Sequence, residues 1–150
     1  MNIEHAFLAH HAELLNDLVY TSGAFLKQVK IQRVPDSIVL GLVWTVRYEQ
    51  EDLGKTFPFF VDAINPSGKR IRICQMIASV SQNNEANGQV YESANAMNLM
   101  VRFYATGLHQ IEILPNGLFC LPVALPLKVD LMSPDSRKIG TKMGWPGSAP

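Results

Sequence analysis

The sequence predicts an all-β protein: a single antiparallel β-sandwich, immunoglobulin-like or C2-like, of about eight strands with a flexible C-terminal tail. Three observations carry this. Ser37 to Tyr48 alternate strictly, with Ile38, Leu40, Leu42, Trp44, Val46 and Tyr48 in one register and Val39, Gly41, Val43, Thr45 and Arg47 in the other, the pattern of a half-buried central strand. Gly107 to Val129 holds two extended runs around Pro115-Asn116-Gly117, and Asn-Gly is a strong hairpin signal. In the second run Phe119, Leu121, Val123, Leu125, Leu127 and Val129 share one face, which needs a second apolar layer to cover it.

Residues 3–19 admit two readings. Ile3, Phe7, Leu14, Leu15 and Leu18 have roughly helical spacing, whereas a strand over Ala6 to Glu13, a turn at Leu15-Asn16-Asp17 and a return through Val19 and Tyr20 make a hairpin. Gly23 interrupts an extended stretch, the mark of a bulge or a close backbone approach. Phe25 to Ile31 reads as a strand that ends at Pro35-Asp36-Ser37. After the central strand, Glu49 to Gly54 is a polar loop. Phe57, Phe59, Val61 and Ala63 form the inner register of the next strand, and Asn65-Pro66-Ser67-Gly68 turns it into a strand over Lys69 to Val80. There Ile71, Ile73 and Ile77 are expected on one side and Arg70, Arg72 and Cys74 on the other. Ser81 to Gly88 is a polar, mobile loop. Met97, Leu99, Val101 and Phe103 face inward on the following strand, opposite Asn98, Met100, Arg102 and Tyr104. Pro122 and Pro126 confine the last strand to a sheet edge or a bend. Past Met132 no apolar period remains, so residues 1–132 form the domain and residues 133–150 a tail in which Trp145 is a docking candidate.

This order of features resembles a family of uncharacterised small bacterial β-sandwich domains, over Ala6 to Val129. Phe7-Leu8-Ala9-His10-His11-Ala12 and Asn16-Asp17 through Gly23 take the places of that family's opening strand, turn and glycine-ended strand. Pro35 with the long strand after it, the corner Glu49 to Gly54, the turn Asp62 to Gly68, Gly107, Asn116-Gly117 and Pro126-Leu127-Lys128-Val129 follow in the family's order. The departure is Ala9-His10, where the family has Cys-Asp. The resemblance implies a β-sandwich and, for the N-terminus, the hairpin; it implies no activity.

Composition narrows the function classes. Of 150 residues, 47% are hydrophobic and 17% charged, and 13 basic residues balance 13 acidic ones. A neutral chain of this kind is a folded domain and not a dedicated nucleic-acid or anionic-membrane binder. The first residues have neither the basic nor the apolar region of a secretory signal, and Cys74 and Cys120 are the only cysteines, which predicts a cytoplasmic protein without a disulfide framework.

No cofactor or metal is expected. His10 and His11 are adjacent and point to opposite faces of a strand, and His5 and His11 share a face too far apart for one ion, so a metal site would need His109 or a carboxylate as well. Arg70 and Arg72 beside Cys74 would lower its thiol pKa, but no Cys-His signature accompanies them. Arg47, Arg70, Arg72 and Arg102 lie on outward registers and are candidate anion contacts if their strands are neighbours. The competing reading is a solvated face balanced by Glu49, Glu51, Asp52 and Asp62.

Outward apolar residues recur on several strands: Val39, Val43, Phe60, Ile64, Met76, Met100 and Tyr104, with Leu108 and Leu114 on the last hairpin. They predict a sheet face that binds protein, most simply a second copy, unless the loop or the tail folds back over it. The expected function is a non-catalytic protein-interaction or scaffold module. The alternative is a sandwich that binds a carbohydrate or an anion with the loops at one end.

Overall fold

The computed structural model describes residues 1–79, 91–116 and 120–134. Ten strands form among them: β1 (Asn2–Ala9), β2 (His11–Leu15), β3 (Leu18–Ser22), β4 (Gln28–Ile31), β5 (Asp36–Tyr48), β6 (Thr56–Ile64), β7 (Arg70–Ser79), β8 (Tyr91–Phe103), β9 (Gly107–Pro115) and β10 (Val123–Leu131). A three-stranded sheet has the order β1-β5-β8 and a five-stranded sheet the order β4-β10-β9-β6-β7, while β2 and β3 pair as a separate hairpin. Among the described residues no helix is long and apolar enough to cross a membrane.

The alternating registers read from the sequence build one core between the two sheets. Leu40, Leu42, Trp44 and Val46 of β5 and Leu99, Val101 and Phe103 of β8 meet Phe59 and Val61 of β6, Ile111 and Ile113 of β9, and Leu127 and Val129 of β10. Each large side chain buried there contributes about 1.5–3 kcal/mol. The Asn65 turn forms as the sequence predicts: the Asn65 side-chain oxygen accepts from the Ser67 and Lys69 amides, and Gly68 N–H donates to the Asn65 carbonyl.

The hairpin reading of the N-terminus holds, with one change. Asn16 and Asp17 have φ of 50° and 61°, the left-handed pair of a type I′ turn between β2 and β3. The first strand, however, breaks at His10. β1 pairs with β5 as far as Ala9 opposite Gly41, and β2 then rises across the outer face of that sheet. Gly41 permits the crossing, because a Cβ there would sit 2.7 Å from the Ala12 nitrogen. Asn98, the cross-strand neighbour of Gly41, takes the place of a strand partner for β2. Its carboxamide accepts from Ala12 N–H at 3.0 Å and donates to the Ala12 carbonyl at 2.9 Å. Gly23 is also a close approach, since a side chain there would strike the His10 ring.

Three other expectations are corrected. The strands are not all antiparallel: β4 runs parallel to β10, with Gln28–Ile31 against Lys128–Leu131. The last strand begins at Val123, so Leu121 is exposed outside it, and Pro126 lies in the half of β10 that β4 leaves unpaired. In β7 the register shifts: Asp62 pairs with Arg72 but Val61 with Cys74, leaving Ile73 as the extra residue of a bulge. The alternation reverses there, so Cys74, Met76 and Ala78 turn toward the core and Ile77 turns to solvent. The loop Ser81 to Gly88, Gly117 and Phe119, and the tail beyond residue 134 with Trp145 lie outside the described residues.

Candidate functional site: an exposed sheet face beside an open strand edge

On the outer face of the three-stranded sheet, pairing of β5 with β8 sets Val39 directly opposite Met100 and Ser37 opposite Arg102. Val39 is 51% and Met100 72% exposed, and Tyr104, just past the end of β8, is 53% exposed. The Arg102 guanidinium lies over the Tyr104 ring, 5.4 Å from its centroid. Three of the seven candidate apolar residues thus meet on one surface, with a cation at its rim. Val43, two positions from Gly41 on the same face, is buried, because the β2–β3 hairpin packs across β5 and β8 there.

The remaining candidates lie elsewhere. Phe60 and Ile64 are half-buried on the outer face of the five-stranded sheet, where the Arg72 guanidinium stacks 4.1 Å from the centre of the Phe60 ring. Met76 packs against the core because of the bulge.

No stripe of arginines forms. Arg70 and Arg72 belong to the five-stranded sheet, Arg47 and Arg102 to opposite ends of the other. Carboxylates engage the first three: Arg47 donates to Glu4 at 2.9 Å, Arg70 to Glu112 and, at 3.1 Å, to Asp62, and Arg72 to Asp62. Asp62 is 1% exposed, so the two half-exposed guanidinium groups satisfy it where water does not. Asp62 balances these charges as the sequence reading expects; Glu4 and Glu112 are the acids that reading missed.

The groups with catalytic or ligating chemistry are dispersed. His5, His10 and His11 are exposed on or beside β1 and β2, whereas His109 is buried between the sheets. Its Nδ1 lies 3.2 Å from the Gly107 carbonyl and its ring meets Phe103 edge-on at 5.0 Å. Among the described residues no three His, Cys, Asp or Glu side chains gather as metal ligands would. Cys74 and Cys120 are both free thiols. Burial pushes the Cys74 thiol up despite the opposing pull of Arg72, the reverse of the shift expected from its arginine neighbours.

Beside the exposed face runs a groove of about 520 Å³, lined by His10, Gln28, Val29, Lys30, Ile38, Val39, Leu40 and Met132. It opens where β1 has left the sheet. Gly41 marks the point at which β1 ends its pairing with β5. Compared with protein-family models, with curated proteins and with solved structures, the chain matches none.

Proposed function

We propose that this chain is a non-catalytic protein-interaction or scaffold module of the cytoplasm, an immunoglobulin-like or C2-like sandwich of the bacterial kind it resembles, and that it assembles with a second copy through the outer face of the β1-β5-β8 sheet. The observation that carries this is the facing pair Val39–Met100, both more than half exposed, with Tyr104 and Arg102 continuing the same surface. Apolar side chains ringed by a cation and an aromatic ring are the make-up of an interface centre. Binding is favoured over catalysis because Cys74 and His109, the groups with nucleophile and base chemistry, are turned toward the core and not toward a shared cleft.

Light scattering coupled to size exclusion tests the proposal. At about 50 μM, where a dimer of ~1 μM Kd is almost fully formed, the chain is expected to run as a dimer and Met100→Glu as a monomer. A strict monomer for the unaltered chain, or a dimer indifferent to Met100→Glu, overturns it.

A further inference from the structure

The exposed face of the three-stranded sheet is small for a stable contact. Beyond Gly41 and Asn98 the outer register of β5 and β8 consists of Ser37, Val39, Met100 and Arg102, with Tyr104 after them. A stable interface takes roughly 20–30 residues a side. Two such faces laid directly on each other would also bring cation to cation at Arg102, with no carboxylate on that register to receive either. Asp36 falls on the other register, with Ile38 and Leu40, and holds the Gln32 and Ser37 amides.

The β2–β3 hairpin carries the complementary features. Ala12 is buried against the sheet, so alternation turns Glu13 and Leu15 to the outer side of the hairpin, and their cross-strand partners Tyr20 and Leu18 turn with them. Leu15, Leu18 and Tyr20 are each more than half exposed. From His11 to Ser22 the chain holds Glu13 and Asp17 and no lysine or arginine. An apolar surface edged by acids therefore lies beside an apolar surface edged by a cation.

The two surfaces also form a step. The hairpin is a layer above the sheet, and from Ala12 over Asn98 it runs away from Met100, because Leu14 lies beside Asn95, Ala96 and Met97. A raised half next to a lowered half fits its own copy when turned about a two-fold axis at the step. The lengths agree. Along the hairpin, Leu15 and Leu18 lie about 10 Å and Asp17 about 14 Å from Ala12, while along β8 Met100 lies about 7 Å and Arg102 about 14 Å from Asn98.

From this geometry we infer that each hairpin lies on the exposed face of a second copy, with Leu15 and Leu18 over Val39 and Met100 and with Asp17 beside Arg102. The inference rests on the reading of this chain as one that self-associates through that face, and adds which element of the second copy covers it. Each copy contributes hairpin and face alike, so the contact is made twice.

Cross-linking of mixed variants tests it. Leu18→Cys and Met100→Cys chains are purified separately, mixed at about 50 μM, where a dimer of ~1 μM Kd is almost fully formed, and treated with a short bismaleimide. The expected product joins a Leu18→Cys chain to a Met100→Cys chain, and peptide mass mapping tells the introduced thiols from Cys74 and Cys120. Neither variant alone should link through its introduced thiol. A charge cycle is the second measurement. Asp17→Asn keeps a residue type that tolerates the left-handed turn, and Arg102→Gln keeps most of the side chain. Each should raise the dimer Kd several-fold, and the double variant should be no weaker than either single one.

A dimer that Met100→Glu disperses, but that gives no mixed link, links Met100→Cys chains to each other, or loses Asp17 and Arg102 additively, overturns the hairpin contact and leaves the self-association face standing. A dimer indifferent to Met100→Glu, or a strict monomer, overturns the face and the hairpin contact with it.

Discussion

Gly41 and Asn98 face each other across β5 and β8, and together they seat the strand that crosses them. One contributes the absence of a side chain, the other a carboxamide that bonds both backbone groups of Ala12. Gly41→Val places carbon where the β2 backbone now lies and should cost about 1–3 kcal/mol. Asn98→Ala strands a buried donor and acceptor at Ala12, at a similar cost of about 1–3 kcal/mol. Urea midpoints measure both, and amide exchange at Ala12 should accelerate in either variant. An unchanged midpoint for Gly41→Val would mean that β2 does not rest on this position.

The turn between β2 and β3 should tolerate improvement. Asp17 adopts a left-handed φ of 61° that glycine reaches without strain. Asp17→Gly, which creates the favoured Asn-Gly pair, is expected to raise stability by up to about 1 kcal/mol. Thermal unfolding in parallel with the unaltered chain reads the change, and a lower midpoint would contradict the type I′ assignment.

Asp62 and its arginines should not be equivalent partners. The carboxylate is buried and accepts from both half-exposed guanidinium groups, so losing Asp62 removes both pairs at once and empties its buried place, whereas losing one arginine leaves the other holding the carboxylate. Asp62→Ala should cost about 2 kcal/mol. Arg70→Ala should cost less than about 1 kcal/mol. Arg72→Ala also gives up stacking on Phe60 and should fall between the two. Equal losses for all three variants would mean that the network acts as one unit.

Acid should weaken the corner at Asp52. Burial pushes this carboxyl up, but the Glu49 amide at 3.0 Å and the Met1 ammonium at 2.7 Å outweigh it and hold the group below its ordinary 3.8. For a depressed carboxylate the stabilisation is fully present above the unfolded value of 3.8 and is lost as pH falls through the lower folded value. Urea midpoints taken from about pH 6 to about pH 3 should therefore drop, and Asp52→Asn should flatten the drop. Part of it should persist in that variant, since the Gln32 and Ser37 amides depress Asp36 over the same range. A curve unaltered by Asp52→Asn would remove this corner as the cause.

What the sequence makes legible follows from what alternation can and cannot encode. The inner registers of β5, β6, β8 and β9 are readable because each strand is regular and half-buried, so that Leu40 or Phe103 declares its own side. Cys74 and Met76 are misread because the extra residue at Ile73 adds no change in composition, only one position to the count. The hairpin at Asn16 is ambiguous by periodicity because Leu14, Leu15 and Leu18 fit a helix as well as a turn. Strand order is written in no single segment. Arg47 and Arg102 look alike along the chain, yet pairing sets them at opposite ends of one sheet, opposite Glu92 and Ser37. The groove escapes for the same reason: its lining comes from segments far apart in the sequence, from His10 to Met132.

The β7 bulge has a chemical consequence as well as a geometric one. By turning Cys74 and Met76 inward it withdraws two oxidisable sulfur atoms from the surface. Among the described methionines, Met100 alone falls in the exposed class, so a mild peroxide treatment should reach it ahead of the others. Its sulfoxide would set a polar, chiral group against Val39, so the most exposed of the described methionines is also the centre of the exposed apolar face, and oxidation there would remove the surface on which the proposed self-association rests.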